Sequence, residues 1–294
     1  MNATLNEGQI KYVNVYVRAH ACLMLFAWGF CCPNGLLAAR HFKTAWPGGT
    51  IKKWKYWFAI HMSFQSVLFA LVVLAFMIVV VNLTGYSTLS KLPYSAHPLL
   101  GFITFFLSFS NLFFAWMLIT STGGRRSLFR NLHLCVGLLA HALSVPLILT
   151  GFQMPKMGNQ MCSSKAYSGM YLISLIFYAI VEVVLEVMGY KILFKIKSSF
   201  ALFYLLMVAE LRQKLQPFGL DVELIIQRIA QNPRHKKQQV MELLLNKAIE
   251  EKEFTQNSFK QIQTLRVIKY FLYAIHLMVS FSITFVLVIM VANL

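Results

Sequence analysis

The chain has 294 residues, of which 58% are hydrophobic and only 13% are charged. Soluble domains contain about 45–50% apolar and about 25% charged residues, so a soluble, disulfide-framework, collagen-like or disordered protein is excluded. The mean hydropathy is +0.62. A formal charge of +17 would suggest nucleic-acid binding only in a soluble chain, because in membrane proteins excess Lys and Arg are typical of cytoplasmic loops. The composition predicts an integral, multi-pass membrane protein that binds no nucleic acid.

Apolar segments long enough to cross a hydrocarbon core of about 30 Å occur six times. In chain order they are predicted near Ala19–Ala39, Tyr56–Asn82, His97–Ile119, Leu132–Phe152, Ser168–Gly189 and Val267–Ala292. A seventh run, Phe200–Ala209, is too short to span and is expected to lie in the membrane interface. The fold class predicted is therefore an all-α polytopic membrane protein with six transmembrane helices surrounded by lipid.

Lys and Arg are unevenly divided between the two ends of these spans. The connections after the first, third and fifth spans contain eleven of them, whereas the opposite ends contain five. Cytoplasmic loops are enriched in Lys and Arg, so the richer end, here called the basic side, is predicted to be cytoplasmic and the N-terminus to be outside or lumenal. The basic side contains Arg40, Lys43, Lys52, Lys53, Lys55, Arg125, Arg126, Arg130, Lys191, Lys195 and Lys197.

The sequence between the fifth and sixth spans is of a different kind. Residues Glu210–Arg266 contain seven of the ten acidic residues of the chain. Apolar residues recur at helical spacing on both sides of Asn232 and Pro233, which predicts two amphipathic helices in the cytoplasm. We therefore expect three regions: a transmembrane core of five spans at 1–190, a cytoplasmic helical insert at 191–266 and a C-terminal transmembrane helix at 267–294.

Four of the eight histidines occupy the same place in four consecutive spans, within the first one or two turns. They are His20, His61, His97 and His133. An ionisable side chain inside a membrane helix is costly, so it indicates a functional site by default. A single such histidine is more often a hydrogen-bonded packing residue, but four at equivalent positions favour a shared function.

Consecutive spans run in opposite directions, so these histidines form two pairs at different depths. His20 and His97 are expected near the outer face, and His61 and His133 near the cytoplasmic face, about 20 Å away. Zinc would recruit a third and fourth ligand, often Cys or a carboxylate, and none is placed at either level. Haem iron needs only two axial ligands from the protein. The pattern favours two bis-histidine haems in a four-helix core, an arrangement suited to electron transfer because it leaves no open coordination position.

Two glycines follow histidines by one helical turn. Gly101 and Gly137 complete His-x-x-x-Gly sequences, and a missing side chain at these positions would let a flat macrocycle lie against the helix. The alternative is that each glycine serves close packing of two helices.

Several stretches around these histidines resemble the cytochrome b561/ferric reductase transmembrane family. The likeness is to the membrane portion of DOMON-containing cytochrome b561 and ferric-chelate reductase 1-like proteins, and it extends from about Arg18 to Gly189. The stretches that carry it are Ala19–Gly29, Ala38–Lys43, Trp57–His61, His97–Gly101 and Asn131–His133, with Gly137 and Gly151.

The resemblance implies two haem b groups, one held by His20 with His97 and the other by His61 with His133. It also implies an oxidoreductase that transfers electrons from a cytoplasmic reductant such as ascorbate to an outer acceptor such as a ferric chelate or monodehydroascorbate. Members of the family are often dimers, so the resemblance suggests a homodimer.

Charged residues at the two faces are candidates for contact with these small molecules. On the basic side Lys52, Lys53, Arg125 and Arg126 could attract an anionic reductant, and Lys91 could contact an anionic chelate on the outer side. Most basic residues are nevertheless expected to lie near lipid headgroups and to set the orientation.

The remaining ionisable residues of the spans are expected to be structural. His41 is predicted to be a solvated loop residue, His141 a packing residue, and His276 a structural residue with no obvious partner. Glu182 and Glu186 are expected to pair with basic residues at the cytoplasmic edge, which we favour over a proton route.

Two other functions are compatible with the pattern. One is a haem-free transporter or receptor that uses the intramembrane histidines to bind protons or substrate. The other is a scaffold, in which the helical insert recruits a cytoplasmic partner and the haems are only structural.

Overall fold

A computed structural model describes residues 14–43, 49–82, 96–154, 164–215 and 252–294. The two amphipathic helices predicted around Asn232 and Pro233, and Lys91, lie outside the described residues. In the described part of the chain the structure is almost entirely helical, with one short hairpin of two strands. This confirms the all-α fold class.

The first span is interrupted and the others are continuous. It consists of α1 (Val15–Leu25), a π-helical turn (Phe26–Cys31) and α2 (Cys32–His41). An antiparallel hairpin of β1 (Thr50–Ile51) and β2 (Trp54–Lys55) leads into the second span. The helices that follow are α3 (Tyr56–Asn82), α4 (Ala96–Thr120), α5 (Gly123–Phe152), α6 (Ser164–Leu215) and α7 (Lys252–Ala292).

Among the residues that the structure describes, six helices are long and apolar enough to cross a membrane, as the sequence predicts. They are Val15–His41, Tyr56–Asn82, Ala96–Thr120, Gly123–Phe152, Ser164–Lys197 and Lys260–Ala292. The run Phe200–Ala209 is part of the uninterrupted helix α6. Its position in the interface, the orientation of the N-terminus and the boundaries at 190 and 266 stay predictions.

The contacts divide the chain into two units. Unit 1 contains Met1–Glu182 and Tyr273–Leu294, and unit 2 contains Val183–Leu272. All four histidines of the predicted pairs belong to unit 1. Within unit 2 the described side chains include the buried Leu185 and Met188.

The first span is the central helix of unit 1. Of its most apolar window 56% is buried, against 11–28% for the other five spans. Asn14 begins the helix by accepting a hydrogen bond from the backbone N–H of Tyr16, which satisfies one of the amide groups left free at a helix start. The core around this span is formed by Leu25, Trp28, Cys31, Leu68, Ile148, Tyr171 and Leu287.

The π-helical turn has a local cause in the sequence. Pro33 has no amide hydrogen, and its ring collides with the carbonyl group of the residue one turn earlier, which is Gly29. Widening the turn from Phe26 to Cys31 accommodates this interruption without breaking the span. Such π turns insert an extra residue into a helix and occur frequently at functional sites.

Candidate functional site

The structure brings the four histidines together in the two predicted pairs. The ring centroids of His20 and His97 are 6.4 Å apart with an angle of 76° between the ring planes. Those of His61 and His133 are 6.2 Å apart with an angle of 89°. Each pair joins two helices that are not neighbours in the sequence: the first span with the third, and the second with the fourth.

This separation is the one expected for two imidazoles that share one metal ion. Two metal–nitrogen bonds of about 2.0 Å, with a radius of about 1.1 Å for each ring, predict centroids about 6.2 Å apart. Direct hydrogen bonding would require one ring nitrogen of a pair to donate to the other at about 2.9 Å, which brings the centroids closer. The observed distances therefore fit a metal between each pair.

The second nitrogen of each ring is held by a backbone carbonyl group. Nδ1 lies 3.0 Å from the carbonyl oxygen of Ala75 for His20 and 2.9 Å from that of Gly35 for His61. For His97 the acceptor is Leu147 at 3.0 Å, and for His133 it is Asn111 at 3.2 Å. A carbonyl oxygen can only accept, so Nδ1 carries the hydrogen in all four rings.

These hydrogen bonds leave Nε2 as the nitrogen with a lone pair in every ring. Metal-bound histidines usually donate the other N–H to a carbonyl or carboxylate group, which fixes the tautomer and increases the basicity of the ligand nitrogen. In the described part of the chain no hydrogen bond is formed by Nε2 of any of the four. The tautomer and the spacing together fit axial ligands of haem iron, and that the four histidines hold haem stays a prediction.

The carbonyl groups also show how the two levels are spaced. His20 is bonded to Ala75, which lies after His61 in the second span, and His61 is bonded to Gly35 in the first span. At the rise of an α-helix, the stretch from His61 to Ala75 is about 21 Å long. This agrees with the predicted separation.

The third and fourth spans repeat this exchange. His97 is bonded to Leu147, which follows His133 in the fourth span, and His133 is bonded to Asn111, which follows His97 in the third. The stretch between histidine and acceptor is as long in both of these spans as in the second. Each helix therefore contributes a histidine at one level and a carbonyl acceptor at the other. No sequence pattern marks these acceptors, because a backbone carbonyl group belongs to every residue.

The surroundings of the two predicted glycines differ. A Cβ atom added at Gly101 would meet nothing within 4 Å, so there is open space beside the helix one turn after His97. At Gly137 a Cβ atom would lie 3.0 Å from the Asn111 side chain, which fits the alternative of close helix packing. Gly101 therefore has the space that a macrocycle would need.

Two further glycines adjoin the histidine pairs. A Cβ atom at Gly151 would lie 3.2 Å from Cε1 of His97, and one at Gly35 would lie 2.5 Å from Nε2 of Gln65. Gly151 therefore leaves room for the His97 ring, and Gly35 allows the first two spans to approach. Gly151 carries part of the family resemblance, but its contact with His97 is evident only in the structure.

On the basic side the turn of the hairpin presents Lys52 and Lys53 to solvent. Lys52 and Lys53 have positive φ angles of 54° and 127° and are exposed. The hairpin is fixed to the start of the second span by Trp54, which stacks on Phe58 with centroids 4.8 Å apart. Phe58 precedes His61 by about one helical turn. Arg125 and Arg126 are exposed in the first turn of α5.

The prediction for His41 is wrong. This residue is only 7% exposed, and its Nε2 lies 2.9 Å from Oε2 of Glu182. Glu182 also accepts from Nε of Arg40 at 3.0 Å, which confirms the expected pairing of Glu182 with a basic residue. Sequence reasoning failed for His41 because its partner is far away in the chain.

His141 and His276 lie in the core of unit 1, away from the two pairs. Nδ1 of His141 is 3.4 Å from Sγ of Cys32, consistent with the packing role. His276 has the partner that the sequence did not reveal: its Nδ1 is 2.9 Å from Oδ1 of Asn34. The ring of His276 also stacks on Phe177 with an interplanar angle of 3°.

Comparison with known sequences agrees with this geometry. Residues 19–157 match the eukaryotic cytochrome b561 family, and this segment contains all four histidines. The chain is 26% identical over 181 residues to "Ferric-chelate reductase 1" of Mus musculus, and 30% identical over 135 residues to "Putative ferric-chelate reductase 1" of Danio rerio. It is also 30% identical over 143 residues to a "Cytochrome b561, DM13 and DOMON domain-containing protein" of Arabidopsis thaliana.

These matches cover 62%, 46% and 46% of this chain but only 29%, 22% and 14% of the three relatives. The chain thus corresponds to less than a third of each of these longer proteins. No solved structure matches it. The comparisons confirm the resemblance to the cytochrome b561/ferric reductase transmembrane family.

Proposed function

We propose that this chain, whose residues 19–157 are of the cytochrome b561 type, transfers electrons across the membrane by means of two b-type haems. The donor is a cytoplasmic reductant such as ascorbate, and the acceptor is a ferric chelate or monodehydroascorbate on the outer or lumenal side. The observation that carries this proposal is the presence of two imidazole pairs at the spacing for one shared metal ion, each ring with Nδ1 engaged and Nε2 available.

In this proposal His61 and His133 hold the haem nearer the basic side, and His20 and His97 hold the other. When bound, haem iron with two imidazole ligands supplies one-electron chemistry and no open position for oxygen. The carbonyl acceptors orient the four rings before the cofactor binds. Because these hydrogen bonds lie in an apolar interior, they are stronger than in water and resist rotation of the rings.

The hairpin on the basic side is the proposed docking place for an anionic reductant. A residue other than glycine with positive φ costs about 1–3 kcal/mol and is found mainly where function requires it. Lys52 and Lys53 both have positive φ, and Lys43 lies nearby along the chain with its Nζ 5.4 Å from the ring centroid of Trp57. The lysines are thus concentrated at the start of the helix that carries His61.

An absorption spectrum of the purified protein tests this function. We expect a Soret band, an α-band on reduction, and two haems per chain by pyridine haemochrome assay. Ascorbate should reduce the haem, and addition of a ferric chelate should reoxidise it. Well-folded protein without colour, made with an ample supply of porphyrin, would contradict the proposal and favour the haem-free transporter or receptor.

A further inference from the structure

A small cavity lies in unit 1, apart from both histidine pairs. It is lined by residues of four spans, among them Trp28, Gly29, His141, Tyr171 and His276. Trp28 follows His20 by about 12 Å of helix rise and precedes Gly35, the acceptor for His61. The cavity is therefore at a depth between the two haem levels. The π-helical turn of the first span forms part of its wall.

The cavity has the size and lining of a site for one water molecule. The volume open to the centre of a water molecule is about 10 Å³, close to the lower limit of about 10–15 Å³ for one bound water. Its walls contain two imidazoles, two phenols and two hydroxyl groups, contributed by His141, His276, Tyr171, Tyr178, Ser174 and Ser280. A wholly apolar cavity of this size would stay dry, but part of this lining is polar, and polar groups in a cavity bind water.

Tyr171 supplies the evidence that this site binds a ligand. The side chain is only 2% exposed, and its hydroxyl group has no hydrogen-bond partner among the described residues. Burying an unpaired hydroxyl group is unfavourable, so such groups are nearly always bonded to protein or to ordered water. Tyr171 lines the cavity, so a water molecule held there would be the partner that its hydroxyl group lacks.

His276, another lining residue of the cavity, offers a proton acceptor. Asn34 donates through Nδ2 to the carbonyl oxygen of Phe30 at 2.7 Å and to Oγ of Ser280 at 3.1 Å. This arrangement makes Oδ1 of Asn34 an acceptor, so Nδ1 of His276 must carry a hydrogen and donate to it. The lone pair of the ring is consequently on Nε2.

Polar groups continue from the cavity towards the basic side. The ring of Tyr178 lies against His141 and His276, with centroid distances of 6.1 and 5.8 Å. Glu182 follows Tyr178 by one turn on the same helix face and pairs with Arg40 and His41 at the end of the first span. This sequence of groups reaches from the membrane edge to the middle of unit 1.

We propose that the cavity is a buried proton-binding site, in which one water molecule bridges Tyr171 and His276, and His276 takes up a proton on Nε2. The proton comes from water on the basic side by way of Glu182 and Tyr178, and a bond from hydrogen to Nε2 forms as the bond to the last carrier breaks. The titratable or charged groups in or next to this site are His141, Tyr171 and Tyr178 of its lining, Cys32 and Tyr273, which contact His141 and Asn34, and the group of Arg40, His41 and Glu182.

The site couples protons to electrons. A charged imidazole in the membrane interior is costly by itself, so uptake is favoured only when negative charge enters at a similar depth. An electron held by either histidine pair provides that charge. The coupling rests on the proposed function, whereas the water site does not.

The water site is tested by the melting temperature of Tyr171→Phe in lipid nanodiscs. If water satisfies the hydroxyl group, its removal breaks a hydrogen bond and lowers the melting temperature. The matched control is Tyr190→Phe, which removes the same group from a side chain that is 66% exposed and should change nothing. A melting temperature that stays equal or rises in Tyr171→Phe overturns the site, because removal of an unsatisfied group is neutral or stabilising.

The proton is tested by optical redox titration at several pH values. Proton uptake on reduction makes the haem midpoint potential fall as pH rises, by up to about 59 mV per pH unit for one proton per electron. His276→Gln should flatten this slope, and His235→Gln, a histidine of the insert, should not. A slope that is absent in the unchanged protein, or is retained in His276→Gln, overturns the proposal.

A second variant keeps the test decisive if His276→Gln does not fold. Glu182→Gln retains hydrogen-bonding capacity but loses the entry carboxylate, so proton uptake after rapid reduction, followed with a pH-indicating dye, should be slower. Uptake at an unchanged rate overturns the route. Protein without haem would contradict the proposed function, and the Tyr171→Phe melting temperature would still decide the water site.

Discussion

Each of the four imidazoles is hydrogen-bonded to one backbone carbonyl group and lies opposite the ring of one other histidine. The histidines themselves could be predicted because charged or ionisable residues are rare in spans, and four of them recur at one position. Their acceptors could not, since a carbonyl group leaves no trace in the sequence. The same limit explains His41, whose partner Glu182 is 141 positions away.

Loss of one histidine should abolish haem binding by its own pair and leave the haem of the other pair in place. His61→Ala or His133→Ala leaves a single imidazole at the level nearer the basic side, so we expect haem content to fall from two to about one per chain. The measurement is the haem-to-protein ratio by pyridine haemochrome assay. His235→Ala should retain both haems, and full haem content in the His61→Ala protein would refute the pairing.

The open space beside Gly101 should be needed by the cofactor rather than by the fold. Gly101→Leu places a side chain where nothing lies within 4 Å, so we expect haem loss at the His20–His97 level with little change in folding yield. Gly189 has similar open space, and Gly189→Leu is the matched control. Equal haem content in the two variants would show that this space is not used.

Among the four spans that contain the paired histidines, the first differs from the other three in the spacing between histidine and acceptor. In those three spans the histidine and the acceptor carbonyl are separated by the same number of positions, whereas His20 and Gly35 are separated by one more. The π-helical turn of Phe26–Cys31 accounts for the additional residue, because it inserts one residue without advancing the helical register. No pattern of apolar residues could have revealed this turn, although Pro33 indicates where the helix is disturbed.

A deletion in this turn should be tolerated better than one in a regular helix. Deletion of Gly29 removes the additional residue and keeps His20 and Gly35 in register, so both haems should remain. Deletion of Val67 rotates His61 against Ala75 by about 100° and should abolish binding at both levels. Haem content of the two purified variants provides the comparison, and equal loss in both would refute this role of the π turn.

The hairpin combines conformational cost with charge, and substitution can separate the two. Lys53→Gly removes a side chain at φ 127°, which should raise the free energy of unfolding by about 1 kcal/mol. Lys53→Gln removes only the charge. We expect both variants to show a higher KM for ascorbate, but only Lys53→Gly to melt at a higher temperature. An unchanged KM in both would argue against docking at the hairpin.

At the level of the whole molecule, the six spans could be predicted because each is a continuous apolar segment long enough to cross the membrane. How deeply each of them is buried could not be predicted. A helix that is apolar on all sides has no preferred face in its sequence, so nothing indicated that the first span would be the most buried.

The scaffold hypothesis and the electron-transfer hypothesis predict different effects of replacing the helical insert. All four histidines and their acceptors belong to unit 1, so replacing Glu210–Arg266 by a flexible linker should leave both haems bound and reducible by ascorbate. Haem content and the rate of reduction measure this. Loss of reduction with retained haem would indicate that the insert recruits the donor or a partner that delivers electrons.

The reciprocal hydrogen bonds within the helix pairs have a consequence for the host membrane. Each pair of hydrogen-bonded helices fixes the distance between its two histidine levels. That distance is set by the number of residues between histidine and acceptor, so it does not depend on the lipid. Bilayers of different thickness would tilt the bundle or deform around it while the two metal positions kept their spacing. The electron-tunnelling distance between the two metal positions would then be the same in the membrane of any organelle that contains the protein.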